Sequence, residues 1–158
     1  MRIFSFKWQE NDSLALQLAA GVRRLSVNTD IRDTPIAVTL WQGESIKLRI
    51  RSRMNDIAER LEVGVLEFTR IQSWSTNDSS IDFSKCFEKN LKIEKLVIAE
   101  QDVMAESGLV LENPYGEQII IVAGASPYTL AVRAPSYEKV FQPEYPLDHY
   151  RRVVMTKA

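Results

Sequence analysis

The chain has 158 residues, 45% of them hydrophobic and 26% charged, with 20 Lys+Arg against 21 Asp+Glu and a formal net charge of −1. A domain of this length buries roughly 70% of its unfolded surface and needs neither disulfides nor a structural metal to fold. The longest apolar runs, such as Ile119 to Ala123, are far short of the roughly 20 residues a membrane helix requires. Collagen, coiled coil, bulk disorder and a helical membrane span are excluded.

Period-2 patterns dominate from the N-terminus onward. Phe4, Phe6 and Trp8 fall on one side of a first strand, because side chains alternate across a strand. After Asp12-Ser13, an N-cap pattern, Leu14, Leu18, Val22 and Leu25 recur at helical spacing, while Leu14, Leu16 and Leu18 also fit a strand. Ala19, Ala20, Arg23 and Arg24 favour helix for 14–25. Ile36 to Trp41 and Ser45 to Arg53 read as two strands joined at Gln42-Gly43-Glu44, a glycine-bearing hairpin connection. Met54 to Arg60 is expected to hold a helical turn. Leu61 to Ile71 is a further strand, with a slip in alternation at Val65-Leu66 that signals a bulge or a change of burial.

A surface loop is expected over 73–80, where small polar residues offer the backbone local hydrogen bonds in place of a ladder. Leu91 to Ala99 resumes the strand pattern, and a helical turn is expected over Gln101 to Ser107. Gly108 to Asn113 and Gln118 to Ala123 flank Pro114-Tyr115-Gly116, a turn with proline and glycine at fitting positions. Tyr128 to Arg133 and Tyr150 to Met155 complete the strand candidates. The fold class is α+β, mainly antiparallel β, a sandwich or open-barrel-like sheet with one or two short helices, as a single globular domain over 1–158.

Several chemistries lack their parts. His149 is the only histidine and Cys86 the only cysteine, so one chain cannot assemble a cluster of imidazole or thiolate ligands. Asp30 and Asp33 read as a polar turn before a strand, without the ligand spacing of a calcium loop. No two of the six glycines are closer than eight residues, which excludes a dinucleotide fingerprint and a Walker loop. Ser136-Tyr137-Glu138-Lys139 matches S-x-x-K but without the context that gives the motif meaning. No catalytic, cofactor-binding or metal-ligating residue is singled out, and no cofactor is expected.

Charge and aromatic placement give three candidate surfaces. Lys47, Arg49, Arg51 and Arg53 alternate with apolar or small residues, an anion-facing stripe or else a solvated strand face. Residues 61–120 carry 5 basic and 11 acidic side chains; among them Glu100, Asp102, Glu106, Glu112 and Glu117 form an acidic stretch able to steer a basic protein. Tyr128, Tyr137, Tyr145 and Tyr150 lie among four of the six prolines. They suit either a recognition surface or a segment that wraps the sheet.

Together these features point to a non-catalytic protein-binding module. Its partner is another protein, a basic one if the acids steer; no membrane partner is expected, and overall neutrality argues against nucleic acid. A toxin-neutralising immunity-type protein is the most concrete form, by general analogy only. The alternative is a small-molecule-binding protein or enzyme with its site in a sheet cavity. A lone cysteine and an N-terminus without a stretch of about 7–15 apolar residues predict a cytoplasmic location.

Overall fold

A computed structural model describes residues 1–43, 46–58, 61–71, 80–100 and 102–155. In chain order the first elements are β1 (Arg2–Phe4), β2 (Lys7–Trp8), α1 (Leu14–Ala19), β3 (Val22–Thr29), β4 (Pro35–Trp41) and β5 (Lys47–Ala58). There follow β6 (Leu61–Ile71), β7 (Ser80–Phe87), β8 (Lys92–Glu100) and β9 (Val103–Glu112). The last are β10 (Gln118–Ala123), β11 (Leu130–Arg133), a single 3-10 turn (Leu147–His149) and β12 (Arg151–Val154). Among the described residues strand makes up 62% and helix 6%, so sheet-on-sheet contact carries the packing.

The strands form two sheets. The first has the order β11-β10-β9-β8-β12, with β1 beside β9; the second has the order β2-β6-β5-β4-β3-β7. Every pairing is antiparallel except β1 with β9 and β2 with β6. The N-terminal segment therefore belongs to both sheets, with only Ser5 and Phe6 between β1 and β2. Phe6 anchors the crossing: its backbone N–H donates to the Glu106 carboxylate at 2.7 Å, and its ring meets Phe68 edge-on at 4.9 Å. Of the three aromatics expected on a single strand, Phe4 lies on β1, Trp8 on β2 and Phe6 between them.

One apolar cluster is shared by both sheets. Leu25, Val38, Leu40, Leu48, Ile50, Leu66 and Phe68 of the second sheet join Ile93, Leu109, Leu111, Ile119, Ile121 and Val132 of the first. A second cluster lies on the opposite face of the first sheet, where Leu96, Ile98, Val110, Ile120, Val122 and Ala131 are covered by Tyr145, Leu147 and Tyr150 and by Ile57, Val63 and Val65. Burial on both faces explains why β10 reads Ile119-Ile120-Ile121-Val122-Ala123 without alternation. The same cause accounts for the slip at Val65-Leu66. Register with β5 runs unbroken through Arg53↔Val65 and Ser52↔Leu66, and both residues are fully buried, so the change is one of burial and not a bulge.

The segment 14–25 is helix and then strand. Ser13 caps α1 by accepting the Leu16 N–H at 3.3 Å, and Leu14 and Leu18, one turn apart, point into the shared core. Gly21 stops it with φ +91 and donates its N–H to the Leu18 carbonyl at 3.2 Å, the left-handed helix ending that glycine adopts at least cost. A side chain there would also collide with the Glu88 carbonyl. Arg23 and Arg24 consequently lie on β3, where the sequence spacing favoured helix. Of the helical turns expected over Met54 to Arg60 and Gln101 to Ser107, residues 54–58 and 103–107 are strand, continuing β5 and opening β9, while 59, 60 and 101 lie outside the described residues. The strand β7 was not anticipated, and the loop expected over 73–80 lies outside the described residues except for Ser80, which begins β7.

Candidate functional site

The acidic stretch does not form a surface. Glu100, opposite Val103, and Asp102, in the adjoining turn, stand at one end of the β8–β9 ladder. Glu112, opposite Gln118, and Glu117, in the following hairpin, stand at the other. Nine strand residues at about 3.4 Å each separate the two ends by roughly 30 Å. Glu106, between them, turns inward to the Lys95 ammonium at 2.6 Å and to the Phe6 N–H. Glu112 accepts from the Gln118 amide and Glu117 from the Asn113 amide, both within the hairpin. Sequence proximity misled here because an extended strand carries successive acids apart and onto opposite faces.

The tyrosines divide into two pairs. Tyr145 and Tyr150 pack on the outward face of the first sheet with ring centroids 6.2 Å apart, and the Tyr145 N–H donates to the Tyr150 hydroxyl at 3.3 Å. Burial raises both phenols above their ordinary range, Tyr150 the more strongly. Glu144, beside them, accepts the Gly64 N–H at 3.3 Å. Burial, and secondarily the nearby Glu62, raise its carboxyl, while the Gly64 N–H pulls the other way. These groups tie the 141–150 segment to the sheets.

Tyr128 and Tyr137 instead belong to a loop cluster where β3 turns into β4, β10 into β11, and the chain leaves β11. Asp30 shapes the first loop: its carboxylate accepts the N–H groups of Arg32 at 2.8 Å and Thr34 at 3.0 Å, an Asx turn. That turn leaves Ile31 wholly exposed at 103%. In the second loop Thr129 folds back on Ser126 through both its N–H and its hydroxyl, leaving Tyr128 62% exposed. The third loop turns at Ala134–Tyr137 and presents Val140 at 75% exposure.

Two clefts open among these loops. One, of about 270 Å³, lies against β3 and β7, where Leu25, Val27, Thr29, Ser80 and Ile81 line it together with Asp33, Tyr137 and Lys139. The other, of about 330 Å³, is lined by Arg32, Asp33, Ser126, Thr129, Lys139 and Gln142 among others. Asp33 and Lys139 belong to both and pair at 3.7 Å. Burial, then the Asp33 charge, raise the Tyr137 phenol. Asp33, Tyr128 and Ser136 all hold left-handed backbone, at φ 61, 63 and 64, a conformation that costs an L-residue about 1–2 kcal/mol.

On β5, Leu48 and Ile50 enter the shared core, so Lys47, Arg49, Arg51 and Arg53 project from the other face. Lys47 is nevertheless buried, at 5% exposure, and lies 3.8 Å over the Trp41 ring. Arg53 pairs with Glu67 at 3.4 Å. Cys86 is an exposed free thiol, and His149 is exposed. Sequence reading singled out Tyr128 and Tyr137 but missed Ile31, Asp33, Lys139 and Val140 as partners in one place. The usable signal was Ile31, a lone apolar residue inside a polar Asp-rich turn.

No helix among the described residues is long and apolar enough to cross a membrane. Compared with protein-family models, curated proteins and solved structures, the chain has no match.

Proposed function

We propose that this protein is a non-catalytic binding module that engages a protein partner through the loop cluster around Ile31, Tyr128 and Val140. The observation that carries the reading is the exposure of three large apolar side chains on three loops that share the Asp33–Lys139 clefts. Covering one such side chain contributes roughly 1.5–3 kcal/mol, and the exposed ion pair and Arg32 supply a polar rim of the kind that surrounds an interface core. On this reading the two sheets form a sandwich that acts as a rigid mount for the loops. A cytoplasmic location fits the exposed thiol of Cys86. Occlusion of a toxin by this loop end, an immunity-type role, is the most concrete form of the proposal.

The test is site-specific photo-crosslinking in the native host, with the probe at Tyr128 or Val140 and a control probe at Tyr115, which is 81% exposed on the β9–β10 hairpin. One protein captured from both loop positions, absent from the control and lost on Ile31→Asp, is the expected result. Equal capture from all three positions, or none, would refute the proposal.

A second reading has one observation in its favour. The 330 Å³ cleft gathers Arg32, Asp33, Ser126, Thr129, Lys139 and Gln142, at the lower limit of small-ligand pockets, although between loops and not inside a sheet. A small molecule retained by the natively purified protein and displaced by Lys139→Glu would favour this reading over the first.

A further inference from the structure

We infer that the 270 Å³ cleft against β3 and β7 binds a free α-amino acid with an apolar side chain. This goes beyond partner binding, since among the described residues Ile31, Tyr128 and Val140 do not line the cleft. Its floor is apolar: Leu25 is fully buried in the shared core, and Val27, Ile81 and the Tyr137 ring, each half-buried, pack against that core. Its mouth carries both charges. Asp33 and Lys139 face one another there at 3.7 Å, with side chains 68% and 59% exposed.

The lining says what kind of molecule fits. At about 270 Å³ the cleft falls just under the roughly 300–1,000 Å³ of drug-sized ligand pockets, room for a single amino acid and not for a nucleotide. An aliphatic side chain laid on Leu25, Val27 and Ile81 is removed from water, which favours binding. The Tyr137 hydroxyl has no hydrogen-bond partner among the described residues. Burial, then the Asp33 charge, hold that phenol in its protonated form, so it donates. The Tyr137 hydroxyl and the Lys139 ammonium are thus two donors for a carboxylate, and Asp33 is an acceptor for an ammonium group. A simple carboxylic acid would set its charge against Asp33, and a simple amine would set its own against Lys139. A zwitterion answers both, and the mismatched charge is what excludes the others. The exposed Asp33–Lys139 pair is worth little by itself, so exchanging it for two pairs with the ligand costs little.

The experiment is an NMR titration of the 15N-labelled full chain with L-leucine, with glycine, and with the deaminated and the decarboxylated analogues of leucine. Leucine is expected to give saturable shifts in the amides of β3, β7 and residues 137–139. Glycine, which lacks the side chain, should bind about tenfold more weakly, and each analogue about fivefold more weakly or worse. Tyr137→Phe, which keeps the ring, should weaken leucine binding about threefold or more. Absence of a saturable response to millimolar leucine overturns the inference, as does unchanged affinity in Tyr137→Phe. So does glycine or the deaminated analogue binding as tightly as leucine. Equal binding of the decarboxylated analogue also overturns it, in favour of a polypeptide N-terminus. The ligand comparisons use the unaltered chain and do not depend on a variant folding. None of these outcomes bears on crosslinks from Tyr128 and Val140, so the two readings fail separately.

Discussion

Gly64 on β6 faces Ala123 on β10 so closely that a Cβ at Gly64 would stand 2.5 Å from the Ala123 Cβ and 2.9 Å from the Ser52 hydroxyl. The glycine's own backbone is used on both sides: the Ser107 hydroxyl donates to its carbonyl and its N–H donates to Glu144. One residue without a side chain thus joins the second sheet to β9, to β10 and to the 141–150 segment. Gly64→Ala is expected to destabilise the protein by about 1–3 kcal/mol, the usual effect of overpacking. Urea denaturation measures this, and Ala123→Gly in the same chain should recover part of the loss.

Ser107 stands where β9 slips register against β8, since Leu96 pairs with Gly108 and Val97 with Glu106. The bulge places its fully buried hydroxyl on the Gly64 carbonyl. Ser107→Ala leaves that carbonyl short of a donor, and about 1–3 kcal/mol of stability should be lost. Faster amide exchange confined to β6 and β9 in native-state hydrogen exchange would locate the effect.

Glu144 sets a pH dependence. Its folded-state carboxyl titrates above the ordinary range, so the folded chain holds this proton where the unfolded chain has released it. The stability this group contributes is complete below the ordinary glutamate range and is lost as pH rises through the raised value. Glu144→Gln keeps an acceptor for the Gly64 N–H and removes the titration. The variant's stability advantage over the parent should therefore grow as pH rises across that window, read from urea midpoints at several pH values. A difference that stays constant with pH would contradict the assignment.

Tyr128 holds φ 63 while 62% exposed. Relieving left-handed backbone is worth about 1–2 kcal/mol, offset by about 0.5–1 kcal/mol for the freedom glycine adds to the unfolded chain. Tyr128→Gly should consequently be neutral or slightly stabilising by thermal denaturation. Loss of partner capture in the same variant would mark the residue as one kept for binding at the expense of stability.

Much of the sheet content was legible because alternation along a strand records which face is buried. Leu61 to Ile71 matched β6 to the residue, and the Pro114-Tyr115-Gly116 turn located the β9–β10 hairpin. The 14–25 segment stayed open between helix and strand because both spacings coexist there; the deciding residue was Gly21, whose stop signal lay just after Ala20. Of the site residues, the β5 stripe could be read because its geometry is local to one strand. The loop cluster could not, because Asp33 and Lys139 are 106 positions apart in the chain and only the fold sets them 3.7 Å apart.

What the sequence alone determined is local: strand periodicity, turn chemistry, and the scarcity of histidine, cysteine and clustered glycine. The tertiary structure alone decided which of the charged and aromatic residues are available to a partner. It turned Glu106 inward, laid Tyr145 and Tyr150 on the first sheet, and left Ile31, Tyr128 and Val140 in water. The reason is physical. Local pattern follows from the geometry of a few neighbouring residues, whereas exposure depends on segments distant in sequence that cover, or fail to cover, the same face.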